Sequence, residues 1–212
     1  MGCATILLPT CKGYLASEED ALVLVEACLS GQLHHVPRGP SGDESLDIIQ
    51  SGSIFVYETG ASGLREWVDG SFWRFCGMQG RISNYTRHVL PCYEPHSSVA
   101  RAKDRMLLPE QSWSGKTQKL ALGRELGKAQ HSMQTNRLTK QVVSATFQGI
   151  THHIICYVAL EDVLAGQLET VTNLCKRDFG ITKTRTGLVV KNAAPHITCS
   201  TSPGAGWYLN FA

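Results

Sequence analysis

The chain has 212 residues, 42% of them hydrophobic, enough to close one sizeable core. Twenty basic and 18 acidic residues leave a formal charge of +2, so no polycationic field surrounds the protein and any nucleic-acid footprint must be local. No apolar run approaches the roughly 20 residues that span a bilayer, and the eight cysteines include no C-x-x-C pair, which argues against zinc ribbons, redox motifs and a disulfide-stapled scaffold.

In chain order, the first predicted helix starts at Ser17. Ser17 and Asp20 have capping-box spacing, and Glu18, Glu19 and Asp20 load the first turn with negative charge. Ala21, Leu22, Val25, Cys28 and Leu29 recur at helical spacing, and Gly31 supplies a left-handed stop. Leu46 to Ile49 reads as a short helix, and Ser53 to Tyr57 as a strand rich in β-formers. Between Leu64 and Trp73, Asp69-Gly70 sits among large side chains and predicts a tight hairpin turn, with further β-formers from Met78 to Leu90.

From about Cys92 to Asn136 prolines, serines, lysines and glutamines predict a long, variable, partly disordered insert over 91–136. Val143, Ala145 and Phe147 then alternate with Ser144 and Thr146, and Gln148-Gly149 turns the chain into His152 to Val158, a second hairpin. Leu160 to Leu168 looks helical. The segment 171–212 mixes Arg, Lys, Thr, Gly and Pro without sustained periodicity and is predicted to be a loosely ordered tail.

The octet Glu161 to Leu168 echoes Glu26 to Leu33, and a β-like stretch with a tyrosine, Tyr157 or Tyr14, precedes each helix. The predicted fold is therefore α+β: one domain of two pseudo-repeated β-plus-helix halves, 10–90 and 137–170, forming a mixed or antiparallel sheet flanked by helices.

Other chemistries are weaker. His34-His35 and His152-His153 lack further ligands at metal-binding spacing, and adjacent strand residues point to opposite faces. Cys28 and Cys156 lie in apolar elements, where a cysteine behaves as a small core residue, so a cysteine hydrolase is disfavoured. Asp69 is accounted for by turn geometry. No metal, cofactor or small-molecule substrate is implied, no membrane span is read, and Ile6 stands where a myristoylation signal wants Ser or Thr.

Taken together, Gly13, Asp20-Ala21-Leu22, Glu26-Ala27-Cys28, Val36-Pro37-Arg38 and Ser51 to Tyr57 are similar to the first half of a WOPR domain, the domain of a family of fungal transcription regulators. Ser62-Gly63-Leu64-Arg65-Glu66-Trp67-Val68-Asp69-Gly70 resembles that family's motif S-G-I-K-R-W-T-D-G, with Trp73, Gly80 and Tyr85 in its continuation. Leu138, Lys140, Ser144, Gly149, His152-His153, Tyr157, Asp162-Val163, Gly166 and Leu168 match the second half. The resemblance implies a nuclear, non-enzymatic regulator that binds short A/T-rich double-stranded DNA with a loop in the minor groove.

DNA affinity rests on neutralising phosphates, and specificity on a few groups that reach base edges. Arg38, Arg65 and Lys140 match basic positions of the family; Trp67 is a candidate for stacking, and Trp73 and Tyr85 for packing. Arg81 and Arg87, an even number of residues apart, are expected on one strand face, extending the basic stripe. Departures reduce the charge: Gly39 and Glu66 replace arginines, Arg74-Phe75-Cys76-Gly77 replaces S-P-S-R, and Val68 replaces a threonine hydroxyl. The expectation is weaker, less salt-sensitive binding than a typical member shows. The alternative is a diverged paralogue acting through protein association.

Overall fold

Strand β6 (Ile150–Ala159) shows in its own sequence why the fold has two faces. Ile154, Cys156 and Val158 point one way and Ile155 and Tyr157 the other, so the strand needs cover on both sides. The computed structural model describes residues 6–42, 44–87 and 138–192. In it β6 pairs with β2 (Ser53–Glu58) on one side and β5 (Leu138–Phe147) on the other. The two-residue β1 (Cys11–Lys12) extends β2; β4 (Ile82–Arg87) and then β3 (Trp73–Gln79) extend β5. A short β7 (Val189–Lys191) pairs with Ser144 to Thr146 of β5, beyond the stretch that β4 occupies. All these strand pairings are antiparallel, in the order β1-β2-β6-β5-β4-β3.

One face of the sheet is closed by α1 (Glu18–Leu29) and α5 (Val171–Phe179), where Leu24, Val25, Val171 and Cys175 pack with Ile54 and Ile154. Short helices α2 (Ser45–Ile48), α3 (Thr59–Ser62) and α4 (Leu160–Leu164) complete the fold. The α1 start forms as its sequence dictates: the Asp20 carboxylate accepts from the Ser17 and Ala16 backbone N–H groups, both at 2.9 Å. Its other oxygen accepts from Thr172 N–H at 2.8 Å, so one residue caps α1 and anchors the first turn of α5.

The architecture is the expected α+β arrangement of an antiparallel sheet flanked by helices. The echoed octets end their helices alike: Gly31 and Gly166 adopt φ of 76° and 70°, and their N–H groups donate to the equivalent carbonyls of Cys28 and Val163. The strands before them differ, two residues against ten.

Two local expectations fail. Residues 63–72 form an irregular loop, and the hairpin that follows turns at Gly80-Arg81, because Asp69 is drawn inward by partners described below. The segment 171–192 is not a loose tail: it contributes α5 and β7 and buries Val171, Cys175, Leu188 and Val190. Its helix opens on Thr170, whose hydroxyl accepts from Asn173 N–H, and ends at Gly180. The insert at 91–136 and positions 193–212 lie outside the described residues. Among the described residues no helix is long and apolar enough to cross a membrane.

Candidate nucleic-acid interface

The second face of the sheet is covered by loops, not by long helices. Val36 from the 33–42 loop and Trp67 from the 63–72 loop pack over Phe55, Tyr57, Ile155 and Tyr157. Trp67 stacks on Tyr57 and tilts against Phe55, with ring centroids 5.8 and 4.9 Å apart. Its indole N–H donates to the Tyr157 hydroxyl at 2.8 Å. That hydroxyl in turn donates to Asp69 Oδ2 at 2.5 Å.

Asp69 is the hub of this face. Its carboxylate also accepts from Lys140 Nζ at 2.9 Å, from the Trp73 indole N–H at 2.9 and 3.0 Å to its two oxygens, and from Ser71 N–H at 3.0 Å. Asp69 and Lys140 side chains are 2% and 6% exposed, so this is a buried ion pair. Burial alone raises the Asp69 pKa, but the Lys140 charge and the hydrogen bonds from Tyr157, Trp73 and Lys140 outweigh it, and the carboxyl titrates below its ordinary value. Burial also lowers the Lys140 pKa, opposed by Asp69. Both partners shift downward because the carboxylate gathers several donors, whereas the ammonium trades water for one carboxylate and the rings of Trp73 and Tyr157, 5.5 and 6.0 Å away.

Register explains the convergence: Lys140 faces Tyr157 on β6 and Tyr85 on β4, and Trp73 faces Arg87, so these side chains share a sheet face. Two expected contacts are thus internal. Trp67, 2% exposed, and Lys140 are buried, and both hold the 63–72 loop from beneath. Sequence reasoning read Asp69 as a turn residue only. Ser71 N–H does close that Asx turn, but a lysine inside the apolar strand pattern Leu138-Thr139-Lys140-Gln141-Val142 was the signal that a buried carboxylate had to exist.

The other cations separate. Arg65 is exposed, and among the described residues it forms no ion pair. Arg38 makes a two-pronged pair with Glu44, both contacts at 2.7 Å. The guanidinium, with the Ser41 hydroxyl and N–H, holds the Glu44 carboxyl far below the usual carboxylate range. The Arg38 loop lies beside the Arg65 loop: a Cβ on Gly39 would stand 3.4 Å from Leu64 Cδ2. Arg87, half-buried, has its guanidinium 5.7 Å from the Trp73 ring centre and donates to Ser71 Oγ at 2.9 Å. Arg81 does not share a strand face with it. It occupies the Gly80-Arg81 turn and pairs at 2.9 Å with Glu18 at the start of α1, roughly 20 Å along the strand from Arg87 at ~3.3 Å per residue. Arg74, exposed on β3 and likewise without an ion pair among the described residues, is a cation the reading did not single out as a contact.

On the helix-side face of β6, in line with Ile154 and Cys156, His152 Nδ1 stands 3.0 Å from His35 Nε2. His152 Nε2 is buried without a hydrogen-bond partner, which favours the tautomer with the proton on Nδ1, since a bare lone pair costs less there than an orphaned N–H. Burial lowers the pKa of both imidazoles; Glu58 opposes this in each, His34 lowers that of His35 further, and His35 lowers that of His152. A histidine with a depressed folded pKa gives stability that is complete above the unfolded value, about 6.5, and lost as pH falls below it. The melting temperature should therefore drop between pH 7 and pH 5.5, and His152→Phe should flatten that dependence.

Among the described residues no three His, Cys, Asp or Glu side chains stand together as metal ligands. Burial pushes the Cys28 and Cys156 thiols up to about 12, far from a reactive thiolate.

An antiparallel sheet roofed on one face by two motif-bearing loops, the second pinned through Trp67 and Asp69, is the arrangement of a WOPR-type domain. The chain belongs to the Gti1/Pac2 family, whose model matches residues 10–159. It is 35% identical to the global transcription regulator sge1 of Gibberella moniliformis, over 79% of this chain and 58% of that protein. It is 38% identical to white-opaque regulator 1 of Candida albicans, over 37% of this chain and 10% of that one. The fold is similar to the WOPR domain of Wor1 in complex with a 13bp dsDNA, with TM-score 0.57, 21% identity, and coverage of 85% of this chain and 94% of that one. These relatives are named as regulators, not enzymes, and the chain spans less than three fifths of the length of the sge1 proteins.

Proposed function

We propose that this chain binds double-stranded DNA as a nuclear transcription regulator with a preference for A/T-rich sites. The observation that carries the reading is Arg65: an exposed cation without an ion pair among the described residues, on a loop fixed from below by Trp67 and Asp69 and flanked by the Arg38 loop. A pinned loop loses little entropy on docking. The relatives' names and the duplex in the Wor1 complexes support the same reading.

Arg38 contributes despite its carboxylate, because exposed ion pairs are worth at most about 1 kcal/mol and a phosphate can displace the glutamate, whereas Arg81, at the far end of the hairpin and paired with α1, lies outside this surface. Arg65→Ala is expected to weaken duplex binding and to lower the slope of log affinity against log salt by about 0.9, the value for one phosphate contact. Fluorescence anisotropy over a salt series measures both. An unchanged slope would remove Arg65 from the interface. Random-duplex selection tests the A/T preference, which fails if the recovered sites are not enriched in A·T pairs.

A second reading, association with another protein, is favoured by exposed apolar side chains on the same region: Phe75 is 55% and Val68 52% exposed. It predicts no duplex binding at low salt, and Phe75→Ser then abolishes partner capture without unfolding the protein.

A further inference from the structure

The geometry points to a DNA-backbone phosphate site formed by the Ser71 hydroxyl and the Arg87 guanidinium, a pairing outside the family's basic positions. This inference rests on the duplex-binding reading above. Arg87 donates to Ser71 Oγ at 2.9 Å, which uses a hydroxyl lone pair and turns the hydroxyl proton away from the guanidinium. Among the described residues that proton has no acceptor, and the remaining N–H groups of Arg87 meet no carboxylate. The arginines that stitch this fold together behave differently: Arg38, Arg81, Arg177 and Arg185 are each paired with a carboxylate.

The two donors are fixed from beneath. Ser71 N–H and the Trp73 indole N–H both bond to Asp69, and the guanidinium lies over the Trp73 ring. Asp69 would repel an anion, but Lys140 neutralises it; Glu66, whose charge also reaches Lys140, is exposed and screened by solvent, and the cation in contact with Ser71 is Arg87. One neutral and one cationic donor on a rigid base suit the two non-bridging oxygens of a single phosphodiester. No proton is transferred and no bond is made beyond hydrogen bonds.

Three variants separate this role from a structural one. Arg87→Gln is expected to lower the salt slope of duplex binding by about 0.9, and Arg87→Lys to restore that slope with a weaker affinity, since the charge returns without the fork. Ser71→Ala is expected to weaken binding about tenfold or more with the slope intact, as befits a neutral hydrogen bond to an anion. A wild-type slope in a folded Arg87→Gln protein overturns the proposal. Independently of duplex binding, inorganic phosphate should shift the Trp73 indole N–H resonance of the wild-type chain and leave that of Arg87→Gln in place. If the shift occurs while no duplex binds, the phosphate site stands and the duplex reading falls; if phosphate moves neither protein or both alike, the site itself is wrong.

Discussion

Replacing Asp69 with alanine is expected to destabilise the fold by about 3–5 kcal/mol, the cost of leaving a buried charge without its partner. The substitution leaves Lys140, the Tyr157 hydroxyl and the Trp73 indole N–H without their acceptor under a closed roof. Urea unfolding of Asp69→Ala should show a lower midpoint and a free energy of unfolding reduced by that amount, against a total stability of about 5–15 kcal/mol for a domain of this kind. The double variant Asp69→Ala/Lys140→Met should be more stable than the single one, because removing both charges also removes the desolvation cost of the ammonium. If the two variants unfold alike, the ion pair is not what holds the 63–72 loop.

Ending the chain after Thr170 is expected to prevent folding altogether. The lost segment carries Val171, Cys175, Leu188 and Val190 of the helix-side core, and it takes with it the Thr172 N–H that engages Asp20 and the Arg185 guanidinium that pairs with Glu26 on α1. Each buried aliphatic side chain contributes about 1.5–3 kcal/mol, so three of them together approach the net stability of the whole domain. A chain ending at Asn192 should unfold cooperatively in urea, and one ending at Thr170 should not; a cooperative transition in the shorter chain would show that α5 and β7 are accessory.

These two results bear on what the amino-acid pattern could reveal. The helix at Ser17, the strand before Tyr57 and the hairpin at Gln148-Gly149 were legible because their signals are local: a capping box, β-branched runs and turn residues. The role of 171–192 was not, because α5 buries only one narrow stripe, Val171 and Cys175, and β7 is three residues long, so neither shows sustained periodicity. The interface was half legible. The motif located the loop, but residue type alone cannot tell a cation that faces solvent from one that faces a carboxylate distant in sequence. Lys140 and Asp69 are 71 positions apart, and Arg81 finds Glu18 at a separation of 63. Sequence parity put Arg81 and Arg87 on one face, and the turn at Gly80-Arg81 undid it.

The proposed duplex-binding surface is one face of the sheet, the one covered by loops. Amide chemical-shift mapping with a short A/T-rich duplex tests this most directly. Shifts should concentrate in 33–42, 63–72 and the Arg87 end of β4, with α1 and α5 unmoved. Shifts gathered on α1 and α5, with the loops silent, would contradict it.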